Sequence, residues 1–342
     1  MALRVAINGL GRIGRTFFRM VAERDDIEVV AINDLGDLEN LAYLLKYDTV
    51  YGRSTFDVEM VTTGFLINGK TIPVLSERDP SKLPWGEMNV DVVVESTGVF
   101  ETYEKAKMHL TAGARHVVIS APAKGDPNAA GVQGGTILMG VNETMMQGCT
   151  ITSNASCTTN AASPLMAILH EGIGIERAIL NTVHAYTATQ SLQDGPGGKD
   201  FRRGRAAAQN IVPNSTGAAL ALAEAYPSLV GRFDGIALRV PVPVGSIVDI
   251  TFDASRPTTV EEVNEVMKKA ALSPQWKDLF AVTEEQLVSS DIVGTTHASI
   301  ADLNFTRVVD GTLVKVLGWY DNETSYTATL VSHVVKAGNQ IK

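Results

Sequence analysis

The sequence predicts an α/β protein in two parts: an open parallel sheet wound with helices, then an α+β part built on a mostly antiparallel sheet. Three observations carry this. The chain opens strand, glycine-rich turn, helix, strand, with Val5-Ala6-Ile7-Asn8, Gly9-Leu10-Gly11-Arg12-Ile13-Gly14, a helical pattern from Arg15 to Glu23, and Ile27 to Asn33. Short β-branched strands go on alternating with helices as far as Ser120. From Cys157 onward that alternation stops and longer strands take over. The first part therefore reads as a Rossmann-type dinucleotide-binding domain, expected over residues 1–156 and completed by a C-terminal helix at 322–342. The second domain is expected over 157–321.

The first strand is short and apolar, as a buried parallel strand should be. Gly9, Gly11 and Gly14 allow a tight turn and let a pyrophosphate approach the start of the next helix, where unpaired N–H groups and the positive dipole end favour an anion. Asp34 lies twenty residues past Gly14, at the end of the second strand. A carboxylate there bonds the adenosine ribose hydroxyls and repels a 2′-phosphate, so NAD is expected rather than NADP. Val90 to Glu95 is a further strand ending in Ser96-Thr97-Gly98, Tyr103 to Ala112 a helix stopped by Gly113, and His116 to Ser120 another strand. Ligands of such sheets meet the C-terminal ends of the strands. That makes Ser96, Thr97 and Ser120 candidate cofactor contacts, although a lone hydroxyl there is commonly a turn former. Gly125 to Gly135 reads as a surface loop.

Next comes Thr150-Ile151-Thr152-Ser153-Asn154, β-branched and then turn-forming, followed by Ser156-Cys157-Thr158-Thr159-Asn160 and an apolar helical run from Ala161 to His170. Cys157 thus falls where a strand turns into a helix, a place that lowers a thiol's pKa and can bind a developing oxyanion. The ordinary reading of a lone cysteine is a small buried hydrophobe. Three hydroxyl neighbours, Ser156, Thr158 and Thr159, argue against it. Cys149 has no such company and reads as structural. His184, in His184-Ala185-Tyr186-Thr187, is the candidate base that would complete an activated nucleophile.

Beyond it, Leu192 to Arg205 is a long polar loop of the sort that shapes a site or a subunit contact. Ile236 to Ile250, carrying Arg239-Val240-Pro241-Val242-Pro243, and Thr312 to Trp319 read as long strands. Thr259-Val260-Glu261-Glu262 opens a capped helix running to about Leu272. Ala328 to Val335 reads as a helix returning to the first domain.

Composition bounds the function. A net charge of −9 argues against a nucleic-acid surface, which wants clustered Lys and Arg, despite the local Phe201-Arg202-Arg203-Gly204-Arg205. Two cysteines cannot build a disulfide framework, and six scattered histidines offer no metal-ligand spacing. No apolar run approaches the ~20 residues that cross a bilayer, and the N-terminus runs straight into a strand. A cytoplasmic protein with no membrane partner is expected.

The motifs resemble phosphorylating glyceraldehyde-3-phosphate dehydrogenase over essentially the full length. They are Asn8-Gly9-Leu10-Gly11-Arg12-Ile13-Gly14-Arg15, Ser156-Cys157-Thr158-Thr159-Asn160, His184-Ala185-Tyr186-Thr187, Ser215-Thr216-Gly217-Ala218-Ala219, Leu238-Arg239-Val240-Pro241 and Trp319-Tyr320-Asp321-Asn322-Glu323. The resemblance implies that Cys157 attacks the aldehyde of glyceraldehyde 3-phosphate while His184 activates the thiol. Hydride transfer to NAD then leaves a thioester, which inorganic phosphate cleaves to 1,3-bisphosphoglycerate. It also implies that Asn322 holds the nicotinamide carboxamide, with Arg12, Ile13, Asp34, Arg78 and Ser120 along the rest of the cofactor. Ser156, Thr158, Thr216 and Gly217 match the attacking-phosphate site, and Thr187, Arg203 and Arg239 match groups that hold the substrate phosphate. A homotetramer is implied by the family alone.

Several positions depart from the family pattern. Ala161 stands where a second cysteine is common, Leu220 where a lysine is common, and Thr324-Ser325 where Trp-Gly is usual. Two other readings compete: erythrose-4-phosphate dehydrogenase, which hydrolyses its thioester, and a catalytically idle binding protein on the same fold. Retained Cys157, His184 and Arg239 oppose the second.

Overall fold

A computed structural model describes residues 2–341, and the side chains of Leu220, Ala223, Glu224, Ala225 and Pro227 lie outside what it describes. The chain divides into two units, Met1–Ser156 with Thr327–Lys342, and Cys157–Tyr326.

The first unit opens with β1 (Leu3–Asn8), α1 (Arg12–Val21), β2 (Ile27–Asn33) and α2 (Leu38–Lys46). A small pair, β3 (Tyr47–Asp48) and β4 (Gly52–Arg53), precedes an antiparallel meander of β5 (Val58–Val61), β6 (Gly64–Ile67) and β7 (Lys70–Leu75). Then come β8 (Val92–Glu95), α3 (Tyr103–Thr111), β9 (His116–Ile119), β10 (Gly134–Thr136) and β11 (Ile151–Ser153). They form one sheet in the order β10-β11-β9-β8-β1-β2-β7-β6-β5, parallel from β10 to β7. Strand order reverses between β1 and β8, which is where open α/β sheets bind ligands. Register aligns Asn8 with both Asn33 and Glu95, and Glu95 with Ile119. Gly9, Asp34, Ser96 and Ser120 therefore leave the sheet side by side along one edge.

The second unit holds α4 (Cys157–Gly172), β12 (Ile175–Ala185), β13 (Val212–Ser215), α5 (Ala218–Ala225), β14 (Phe233–Val240), β15 (Ser246–Ala254), α6 (Val260–Ala271), β16 (Phe280–Thr283), β17 (Ser299–Asp302), β18 (Arg307–Val309) and β19 (Leu313–Tyr320). Its sheet runs β13-β14-β12-β15-β19-β17-β16, with β18 paired to β19. Most pairs are antiparallel, but β12–β14 and β16–β17 are parallel. Alternation along β15 sends every second residue into the core. Against β15, β17 and β19 lies α4, buried from Thr158 to Leu169. The last helix, α7 (Thr324–Ile341), begins in this unit and ends in the first.

Three expectations need correcting. Ile236 to Ile250 is not one strand: Pro241 and Pro243 lack the N–H a ladder needs, so the chain breaks into β14 and β15 with β12 between them. The first helix starts at Arg12 rather than Arg15 and ends at Val21. The loop from Gly125 contributes the edge strand β10 at its far end, pairing with β11.

Candidate active site

In the first unit the glycines have separate reasons. Gly9 has φ +97°, and a Cβ on it would stand 2.7 Å from the Thr97 nitrogen. On Gly14 a Cβ would come within 2.0 Å of the Gly9 carbonyl oxygen. Both hold the turn against its neighbours. Gly11 is different: it is exposed, with nothing within 4 Å of a Cβ position, and it begins α1 with no side-chain cap. Its first-turn N–H groups stand ready for an anion, as a pyrophosphate needs. These residues fit a dinucleotide.

Asp34 is half-buried and accepts from Leu10 N–H at 2.6 Å and Gly36 N–H at 2.7 Å, so its carboxylate is fixed at the mouth of the turn. Arg12 is paired to Asp48 at 2.7 Å and lies over the Tyr51 ring. The hydroxyls of Ser96 and Thr97 brace the turn: Ser96 donates to Gly9 O at 2.7 Å, and Thr97 donates to Glu95 while accepting from Val99 N–H. Ile13 and Ser120 are half-exposed and Arg78 is exposed.

Beneath this edge lies a buried network that the sequence reading missed. Trp85 Nε1–H donates to His109 Nδ1 at 3.0 Å, so Nε2 is the protonated nitrogen, and it donates to Glu95 at 3.0 Å. Asn8 donates to the same Glu95 oxygen and accepts from Asn33 at 2.7 Å. Three strand ends are thereby tied together under the cofactor turn. The separations run from 14 to 87 residues, which no local pattern reports.

In the second unit Cys157 is the first residue of α4, and the turn before it carries Ala155 at φ +56°. A left-handed alanine is strained, a feature that clusters at functional turns. The Cys157 sulfur lies 3.3 Å from His184 Nε2. His184 Nδ1 is 2.6 Å from Ala185 O, and with the ring proton placed on Nδ1 to make that bond, the shorter of its two polar contacts, Nε2 is left bare toward the thiol. Cross-strand register puts Arg239 beside His184. Its Nη1 donates to Ala185 O at 3.1 Å and stands 2.9 Å from His184 Nδ1. Tyr320 meets the imidazole edge-on at 5.9 Å, its hydroxyl held by Thr182 at 2.8 Å and Thr158 at 3.1 Å.

Burial and then the Arg239 charge push the His184 pKa down to about 3, so the ring is a neutral acceptor. For Cys157 the sequence expectation fails: burial pushes the thiol up, and Arg239 with the Thr158 hydrogen bonds pulls it only part of the way back. The free pair is a thiol facing a neutral base.

Among the phosphate candidates, Arg203 donates to Asn214 at 2.9 Å, and the Nε atoms of Arg203 and Arg239 are buried with no partner among the described residues. Burial first, and the nearby Arg203 charge among the further causes, disfavour the charged form of Arg239. Two neighbouring guanidinium groups whose Nε–H groups lack acceptors among the described residues suit a phosphate dianion. Thr187 pairs with Thr189, and the Thr216 hydroxyl accepts from Ala218 N–H beside an exposed, open Gly217. Thr158 turns its hydroxyl inward to Tyr320, and Ser156 is half-buried. Asn322 Oδ1 accepts from Gly245 N–H at 3.1 Å and Ser246 Oγ–H at 3.0 Å. Thr324 and Ser325 act at the start of α7, bonding Asp321 through the Thr324 N–H and the Ser325 hydroxyl.

A thiol that can hold an acyl group, on a chain that can carry a dinucleotide, defines a cysteine-dependent dehydrogenase. Comparison with known proteins makes this particular. A family model described as the glyceraldehyde 3-phosphate dehydrogenase NAD binding domain matches residues 3–103, and its C-terminal domain counterpart matches residues 156–322. The chain is 48% identical over 344 residues to the glyceraldehyde-3-phosphate dehydrogenase of Streptomyces coelicolor, covering 100% of each. It is also 48% identical over 333 residues to that of Clostridium pasteurianum, covering 96% of each. The chain belongs to the glyceraldehyde-3-phosphate dehydrogenase family, and its cofactor is NAD.

Proposed function

We propose that the protein oxidises glyceraldehyde 3-phosphate with NAD and inorganic phosphate to 1,3-bisphosphoglycerate. The observation that carries this is the Cys157 sulfur 3.3 Å from a bare His184 nitrogen, with Arg239 against the same imidazole. Cys157 adds to the aldehyde carbon as His184 relays the thiol proton to the carbonyl oxygen, giving a thiohemiacetal. His184 next takes the hydroxyl proton as the C–H hydride leaves, and a thioester forms on Cys157. Bound NAD supplies the hydride acceptor. Phosphate attacks the thioester carbon, and Cys157 leaves as a thiolate that recovers a proton from His184.

Arg239, Arg203 and Thr187 hold the substrate phosphate in this reading, and Ser156, Thr158, Thr216 and Gly217 hold the attacking phosphate. Gly9, Gly11, Arg12, Ile13, Gly14, Asp34, Arg78, Ser96, Thr97, Ser120 and Asn322 make the cofactor site. Asp34, its carboxylate fixed by two N–H groups, favours NAD over NADP. The protein works as a cytoplasmic homotetramer. Supporting subunit contacts, Phe201 is 82% exposed and Ile211 68%, large apolar side chains that a partner would cover.

The test is NAD reduction followed by the absorbance of the reduced nicotinamide with glyceraldehyde 3-phosphate, with and without phosphate. Phosphate-dependent turnover is expected. Turnover indifferent to phosphate, or faster with erythrose 4-phosphate, would return the hydrolysing alternative.

A further inference from the structure

We propose that Ser246 is a positioning residue that fixes which end of the Asn322 amide faces the cofactor. The inference rests on the assignment of Asn322 to the nicotinamide carboxamide. Ser246 is the first residue of β15 and Asn322 follows β19; they are 2% and 6% exposed. The Ser246 oxygen accepts from Ala185 N–H at 3.1 Å. A backbone N–H cannot reverse its polarity, so the serine's own proton must point elsewhere, and it goes to Asn322 Oδ1 at 3.0 Å. Gly245 N–H meets the same oxygen at 3.1 Å.

Two donors therefore converge on one end of the amide. They hold its oxygen inward and leave the Nδ2 hydrogens, which have no protein partner among the described residues, as the end offered to a ligand. With Ser246 present, turning the amide over takes the acceptor away from two donors, Gly245 N–H and the Ser246 hydroxyl, and the second lone pair of the Ser246 oxygen can restore only one bond. Without Ser246 the turn takes it away from one. Ala185 links the same serine to the base, since its carbonyl takes His184 Nδ1 and Arg239 Nη1. One serine thus joins the end of the His184 strand to the amide.

The probe is the NAD analogue in which acetylpyridine replaces nicotinamide. It keeps the ring's carbonyl oxygen but has no amide NH2, so a donor alone can hold it. The natural carboxamide has both groups and can pair with either end of Asn322. Ser246→Ala should lower both the affinity titrated without substrate and kcat/KM, about fivefold with NAD and about tenfold further with the analogue, the scale of one hydrogen bond lost. Ser246→Thr, which restores the hydroxyl, should recover the ratio between cofactors. Ser246→Cys fills the same space with a weak hydrogen-bonding group and should shift the ratio the same way if the alanine variant does not fold.

An equal fall with both cofactors would reduce Ser246 to a brace between β12 and β15 and overturn the proposal, as would no change with either. Asn322→Ala separates the two assumptions. If it leaves both cofactors unaffected, the assignment of Asn322 itself fails. If it impairs them while Ser246→Ala does not, Asn322 stands and the role of Ser246 falls.

Discussion

Replacing Arg239 with alanine tests two claims at once, because the guanidinium faces in two directions. Its Nη1 lies 2.9 Å from His184 Nδ1 and 3.1 Å from Ala185 O, while its Nε is buried without a partner among the described residues. If the unpartnered side meets the substrate phosphate, Arg239→Ala removes a charge-assisted hydrogen bond worth about 1.5–3 kcal/mol. At 1.4 kcal/mol per decade, kcat/KM for glyceraldehyde 3-phosphate should fall by roughly one to two orders of magnitude. Part of the loss should appear in kcat, since a held phosphate positions the aldehyde for the chemical step. Plain glyceraldehyde has no phosphate to lose and supplies the control. It should be turned over poorly by both proteins, with little difference between them.

The other face predicts a change that substrate is not needed to see. Arg239 holds the His184 pKa down and pulls the Cys157 thiol downward. Its removal should leave the thiol more fully protonated at neutral pH and slow alkylation of Cys157 by iodoacetamide. The assays are steady-state NAD reduction with both aldehydes, alkylation rates in the absence of substrate, and a thermal melt. An equal loss on both aldehydes together with a lowered Tm would refute the phosphate role. Arg239 would then be a brace between the parallel neighbours β12 and β14.

Three further outcomes follow from the same structure. A small quantity of iodoacetamide should label Cys157 and abolish activity, because Cys157 has a base at 3.3 Å while the Cys149 thiol donates to the Met145 carbonyl; inactivation with peptide mass placing the label on Cys149 alone would contradict this. Asp34→Asn keeps a side-chain acceptor for Leu10 N–H but removes the charge, so the preference for NAD over NADP should narrow by up to about a hundredfold, or ~3 kcal/mol, and an unchanged kcat/KM ratio would count against it. Burial depresses His116 to about 4 and His184 and His333 to about 3, all below the ordinary 6.5. The unfolded chain then binds protons the folded chain refuses, so this stability is complete above about pH 6.5 and is lost as pH falls toward 4, at up to ~1.4 kcal/mol per pH unit for each histidine. Urea midpoints that stay level between pH 7 and 5 would show that these rings are not buried as neutral groups.

What the sequence made legible was what is local along the chain. Gly9, Gly11 and Gly14 announced the cofactor turn through their spacing between a strand and a helix, and the crowding at Gly14 is itself local, set by the Gly9 carbonyl five residues back. Cys157 announced a strand-to-helix junction because its neighbours change from β-branched to helix-forming across five residues. The parts that tune this chemistry are contacts between distant segments. Arg239 reaches His184 through strand register across 55 residues, and Tyr320 reaches Thr158 across 162. Neither residue carries a local signal of its partner. Even the sign of the thiol's shift turned on this, since the helix start is readable from Ser156-Cys157-Thr158 while the burial that outweighs it comes from tertiary packing. Pro241 and Pro243 mark the opposite case. Their missing N–H groups were in plain view and should have split Ile236–Ile250 into two strands, and that break puts Gly245 just ahead of β15 and Ser246 at its first position, where both meet Asn322. The polar ends of strands therefore carry more functional information here than their apolar middles. Asn8, Asn33 and Glu95 end three aligned strands in buried amide and carboxylate groups, which in an unsatisfied core would be costly. Such residues at the ends of otherwise apolar strands are the signal by which the network under the cofactor turn could have been found.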